Sequence, residues 1–260
     1  MSKTRIAKLS ILALAIFSFG VSAAEGVLED SLVYDDPTVS RPGKWSGGVS
    51  LDYFATKNNT TVNDTQGGTH SATQTLYQPG GSMFVGYGDF SLMGSYRQGT
   101  VDINVPAGGG LTSASTGNET YKNTEIDVRW LATPIAMKYF VPYALVGWEK
   151  INASQKWNVY VNGVQEDNIT SAQGFGAGLG GIIPLTEKFG VRLDVRNFWV
   201  NVKTTSNLFT AFNSTKNSND TQFTATGYYN ITEGLNVQLG LKTSSIVNTG
   251  VYAQLGYTFR

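Results

Sequence analysis

Val251-Tyr252-Ala253-Gln254-Leu255-Gly256-Tyr257-Thr258-Phe259 stands just before the final Arg260. Val251, Ala253, Leu255, Tyr257 and Phe259 are apolar, while Tyr252, Gln254, Gly256 and Thr258 between them are polar or small. A period of two held over such a run is the signature of a β-strand with unlike faces, not of a helix. The same alternation recurs upstream. Leu235, Val237, Leu239 and Leu241 alternate with Asn236, Gln238, Gly240 and Lys242, and Phe223, Ala225, Gly227, Tyr229 and Ile231 with Gln222, Thr224, Thr226 and Asn230. Trp45 to Tyr53 repeats it at the other end of the chain. Each run is about the ten residues that a tilted strand needs to cross a bilayer.

Working outward, the pattern predicts about ten strands, near 44–56, 74–87, 90–103, 119–131, 138–153, 171–184, 189–203, 219–231, 235–247 and 250–259. Pro79 interrupts the second, and the fifth is apolar on both faces. Eight strands with extra hairpins outside the membrane is the alternative count. Tight connections are expected at Gly88-Asp89, Thr133-Pro134, Thr186-Glu187-Lys188 and Thr232-Glu233-Gly234. Long polar stretches at roughly 57–73, 104–118, 154–170 and 204–218 read as loops on the opposite rim. The fold class is therefore all-β: a closed antiparallel transmembrane β-barrel with short periplasmic turns and long extracellular loops. An even strand number closes the sheet and leaves no edge unpaired in lipid.

Composition agrees. The 260 residues contain no Cys, so disulfides do not hold the chain. Nineteen basic side chains balance nineteen acidic ones, which gives no excess for nucleic acid. A mean hydropathy of -0.14 fits a barrel, in which only alternate residues face lipid. At the N-terminus, Lys3, Arg5 and Lys8 precede the apolar run from Ile11 to Phe17 and small residues ending at Val21-Ser22-Ala23-Ala24. That order predicts a signal peptide over 1–24, too short in its apolar part to span a membrane as a helix. A periplasmic lead-in over 25–43, flexible or partly plugging, and a barrel over 44–260 follow from it. The expected location is the bacterial outer membrane.

Charges on the polar faces must point inward, because Arg or Lys at depth in lipid costs roughly 2–4 kcal/mol. Asp52, Arg97, Glu125, Asp127, Arg129, Arg192, Asp194, Arg196 and Lys242 make up this lumen set. Both signs are present, so a ladder of Arg–carboxylate pairs is expected to fill the lumen. A ring of one sign would instead have favoured a selective pore. Gly174, Gly176, Gly178 and Gly180 share one face of their strand and leave room there for bulky neighbours.

Pro142-Tyr143-Ala144-Leu145-Val146-Gly147, the glycine-rich run from Gly174 to Gly181, and Pro184-Leu185-Thr186-Glu187-Lys188-Phe189-Gly190-Val191-Arg192-Leu193-Asp194-Val195-Arg196 resemble the small-barrel superfamily around the outer-membrane protein A transmembrane domain. Opacity-type barrels belong to the same group. The ending Leu255-Gly256-Tyr257-Thr258-Phe259 resembles the aromatic signal read by the barrel-assembly machinery, with Tyr257 and Phe259 as its carriers. Arg260 after the terminal aromatic and a strand count above eight depart from the usual pattern. The resemblance implies the fold more than the function, since the superfamily includes adhesins and narrow channels.

Catalysis has few candidates. The single His, His70, lies in Gly67-Gly68-Thr69-His70-Ser71, and Asp52, Asp64 and His70 form the first candidate set for a rim enzyme acting on lipid or peptide. No metal set and no cofactor are expected. The leading reading is a monomeric structural or surface-interaction barrel with a charge-plugged lumen, in contact with outer-membrane lipid and lipopolysaccharide. A narrow diffusion channel for small solutes is the alternative.

Overall fold

A computed structural model describes residues 35–40, 43–63, 69–105, 115–133, 139–161, 163–245 and 249–260. The predicted signal peptide lies outside the described residues, as do residues 25–34 of the lead-in.

Ten antiparallel strands form one closed barrel, each paired to its neighbours in sequence and β10 returning beside β1. They are β1 (Trp45–Asn63), β2 (Thr69–Tyr87), β3 (Phe90–Val105), β4 (Ser115–Leu131), β5 (Val141–Val161), β6 (Val164–Pro184), β7 (Phe189–Ser206), β8 (Ser214–Asn230), β9 (Leu235–Ser244) and β10 (Gly250–Phe259). Closure runs from Gly47↔Phe259 to Thr56↔Gly250, so the chain's last strand zips onto its first. Among the described residues, no helix is long and apolar enough to cross a membrane.

The alternation sets the faces. Val49, Leu51, Met83, Ile126, Phe175 and Leu239 are exposed on the outer wall. Aromatic side chains border this apolar band. Trp45 packs on Tyr87 with ring centroids 5.0 Å apart at the end holding the short turns, and Tyr257 meets Phe259 at 5.1 Å. Further along β1 and β2, Tyr53 stacks on Tyr77 at 5.8 Å. From Trp45 to Tyr53 is about 26 Å along the strand, which a tilt near 40° reduces to about 20 Å of height. That is close to the apolar band of a membrane barrel.

The strands do not stop there. β1 continues from Tyr53 to Asn63, about 33 Å further along the strand, and β2 descends in register with it from Thr69. The described parts of the polar stretches expected to be loops are therefore mostly strand, at 57–63, 69–73, 104–105, 115–118, 154–161, 164–170, 204–206 and 214–218. β5 and β6 carry the ladder out to Val161↔Val164 across the turn at Gly163, whose φ of 79° suits a residue without Cβ. The protruding wall is polar on its outside, so the lipid-driven alternation that marks the lower wall fades. Two other differences are local. The connection expected to be tight at Thr133-Pro134 spans 132–140, of which 134–138 lie outside the described residues. The β2–β3 ladder ends at Gly80↔Arg97, next to Pro79, which has no N–H to donate.

The glycine stripe of β6 faces the lumen. A Cβ at Gly176 would stand 2.6 Å from Phe198 Cδ1, and one at Gly178 would stand 2.8 Å from Arg196 Cγ. Glycine on β6 thus makes room for the large inward side chains of β7.

Candidate functional site

The lumen is filled in layers. At the end with the short turns, residues 35–40 enter the barrel mouth. Asp36, Val39 and Ser40 are buried there. Asp36-Pro37-Thr38-Val39 makes a turn closed by Val39 N–H donating to Asp36 O at 3.1 Å. The Asp36 carboxylate accepts from Thr38 N and Thr38 Oγ1 at 2.8 and 2.7 Å, the Asp-Pro turn chemistry that fixes such a bend. The wall holds the turn from several strands. Arg192 on β7 pairs with Asp36 Oδ1 at 3.0 Å, and Thr258 on β10 donates to Pro37 O at 2.8 Å. Arg129 on β4 donates to Thr38 Oγ1 at 3.0 Å and also to Thr38 O. Arg260 reaches Asp36 O at 3.1 Å, and Asn230 reaches Asp35 O at 2.6 Å. Val39 packs among Leu131, Val141, Tyr143, Leu145, Ile182 and Tyr228.

Above this stopper lies a cavity of ≈ 170 Å³, lined in part by Arg97, Glu125, Asp127, Arg129, Arg196 and Tyr252. Arg196 projects into it and binds three carboxylates: Asp194 Oδ1 at 2.7 Å, Asp127 Oδ2 at 2.8 Å, and Glu125. Lys242 takes the other oxygen of Glu125 at 2.8 Å and lies 3.9 Å from Glu149. Arg97 pairs with Asp52 at 3.5 Å, and Asp52 also accepts from Ser50, Ser82 and Gln254 at 2.8, 3.2 and 3.0 Å. A second cavity of ≈ 30 Å³ lies beyond Arg97 and Lys242, which border both. It is bounded by Glu149, which accepts from Asn123 at 3.1 Å and from Gln222 at 2.5 Å. In the protruding part, Ile103, Val105 and Trp157 form a buried apolar cluster inside the barrel.

All nine charged residues expected in the lumen point inward. They form an Arg196-centred hub, an Arg97–Asp52 pair and two arginines committed to the stopper, not a ladder of separate pairs. Among the described residues Arg129 makes no ion pair, and its Nε has no hydrogen-bond partner. Sequence reasoning missed Asp36 and Glu149. The Asp36-Pro37 dipeptide is a turn signal that could have singled out the first. Glu149 was hidden because Tyr143 and Leu145, also inward on β5, face apolar packing around Val39.

The proposed catalytic set does not come together. His70 pairs with Val62 on β1, ten positions from Asp52, about 33 Å along the strand. Asp64 lies outside the described residues. Among the described residues no group of three or more His, Cys, Asp or Glu could hold a metal ion.

No family model matches the chain, and no curated protein does. Among solved structures it is similar in fold to the outer membrane protease OmpT from Escherichia coli, at 11% identity over 85% of this chain and 99% of that one, with a TM-score of 0.52. The outer membrane protein OprG from Pseudomonas aeruginosa gives 11% identity, 85% and 98% coverage, and a TM-score of 0.42. Ail, the attachment invasion locus protein of Yersinia pestis, gives 12%, 83% and 99%, and 0.38. At this identity the likeness to OmpT speaks to the fold alone. Together with the outward apolar band and its aromatic borders, it makes the chain an integral outer-membrane β-barrel.

Proposed function

We propose that this barrel is a closed structural and surface-interaction protein whose lumen serves to hold the wall together and not to conduct. The observation that carries this reading is the stopper: Arg192 and Arg129 grip residues 36–38 across the periplasmic mouth. The Arg196 hub and the Ile103–Val105–Trp157 cluster support it at two further levels. Interaction then falls to the protruding hairpins, which carry polar side chains suited to lipopolysaccharide headgroups or to surface ligands. The protein acts as a monomer and without a cofactor. Kinship with the small-barrel superfamily around the outer-membrane protein A transmembrane domain belongs to this reading, carried by the segment from Pro184 to Arg196. Tyr257 and Phe259 are its assembly signal. A catalytic role is not part of it, since Asp52 and His70 are too far apart to share a proton.

Single-channel conductance of the mature protein in planar bilayers tests the proposal, with Arg192→Ala/Arg196→Ala alongside. A silent wild type, with leak appearing in the variant, is the expected result. Steady wild-type conductance whose ion selectivity changes in the variant would replace this reading with the narrow channel.

A further inference from the structure

The stopper is bound as a ligand is bound. Its residues belong to no strand, and charged or polar side chains of β4, β7, β8 and β10 converge on them. The contacts are those of peptide recognition: an arginine on the aspartate, donors on three successive backbone carbonyls (Asp35, Asp36 and Pro37), and an apolar pocket for one side chain, Val39. Thr38 O accepts as well, from Arg129. We propose that the periplasmic mouth is a binding site for an acidic Asp-Pro-type turn, which the chain's own residues 35–40 occupy in cis. An acidic turn presented by another periplasmic polypeptide competes for the same place.

Arg192 gives the site its specificity for an acidic residue, and Arg129 adds to the grip on Thr38. Arg129 is 2% exposed, donates to the Thr38 hydroxyl and carbonyl, and stands over the Tyr143 ring at 5.5 Å from its centroid. Charge-assisted pairing is the stronger kind of contact, so the Arg192–Asp36 pair sets the preference for an acidic residue. The Thr38 hydroxyl in turn donates to Asp36 Oδ1 at 2.7 Å and so holds the carboxylate toward Arg192.

The test uses the full mature chain with a protease site inserted between Gly43 and Lys44, in an exposed turn where Gly43 has a φ of 64°. After folding in lipid vesicles and cleavage, the labelled N-terminal fragment is challenged with synthetic peptides spanning residues 34–41. The fragment is expected to stay bound, and excess wild-type peptide to release it. The Asp36→Ala peptide should need at least about tenfold more, in line with about 1.4 kcal/mol per decade. A fragment that no peptide displaces short of unfolding would make residues 35–40 part of the wall. A fragment that leaves and never rebinds, or equal competition by the Asp36→Ala peptide, would also end the proposal. The uncut chain supplies an independent reading, because it contains no Cys. Ser40→Cys places a thiol at a buried position, and wild-type peptide should raise its rate of labelling while the Asp36→Ala peptide does not. An unchanged rate would count against the site.

Discussion

Arg196 reaches Glu125, Asp127 and Asp194 with one guanidinium, so the lumen's electrostatics converge on a single side chain. Three carboxylates close enough to share it would repel one another without it. Removing one partner of a buried ionic network leaves the others uncompensated, at about 3–5 kcal/mol. Arg196→Ala is expected to cost that much. Asp127→Asn should cost only about 1 kcal/mol, because Glu125 keeps Lys242 and Arg196 keeps two carboxylates. Urea midpoints in lipid vesicles measure both. If Asp127→Asn proves the more damaging, the hub is not what holds the layer together.

At the scale of the element, β6 and β7 are fitted to each other by glycine. Gly176→Ala would press its Cβ against the Phe198 ring and to 2.8 Å from Asn197 O, and overpacking of this kind costs about 1–3 kcal/mol. Gly94→Ala is the matched control, since its nearest neighbours stand at 4.0 Å and the change should stay within about 0.5 kcal/mol. Thermal unfolding of the two variants separates a packing role from mere strand propensity; equal losses would refute the packing role. The same elements mark what could be read beforehand. Strand number and facing were legible wherever one face meets lipid, as at Val251 to Phe259. Strand ends were not, because past Tyr53 the outer face turns polar and the contrast between faces fades. On β5 the inward Tyr143 and Leu145 pack toward Val39, so the segment looked apolar on both faces and concealed Glu149. The stopper itself has no periodicity. Only the Asp36-Pro37 dipeptide signalled a turn, and no local rule places a turn inside a barrel.

For the whole molecule, the decisive quantity is how much of the wall stands in lipid. The outward face of β4 offers a ruler on one strand: Trp130 at the border, then Val128 and Ile126, and later Thr120 and Asn118. Ile126 lies about 13 Å along the strand from Trp130, or about 10 Å in height, near the middle of a band ~25 Å tall. Asn118 lies about 40 Å along, or about 30 Å in height, beyond that band. Ile126→Arg should therefore cost about 2–4 kcal/mol, as a cation facing the bilayer midplane does. Asn118→Arg should be close to neutral, since its two cross-strand neighbours, Asp102 and Lys156, carry opposite charges. Equilibrium unfolding from vesicles compares the two, and repeating it in a bilayer thicker by several ångströms adds a second axis. The Ile126→Arg penalty should persist there, while Asn118→Arg begins to lose stability as lipid rises toward it. Equal costs at both positions would mean that the upper wall is embedded too, and that the hairpins do not stand free above the membrane.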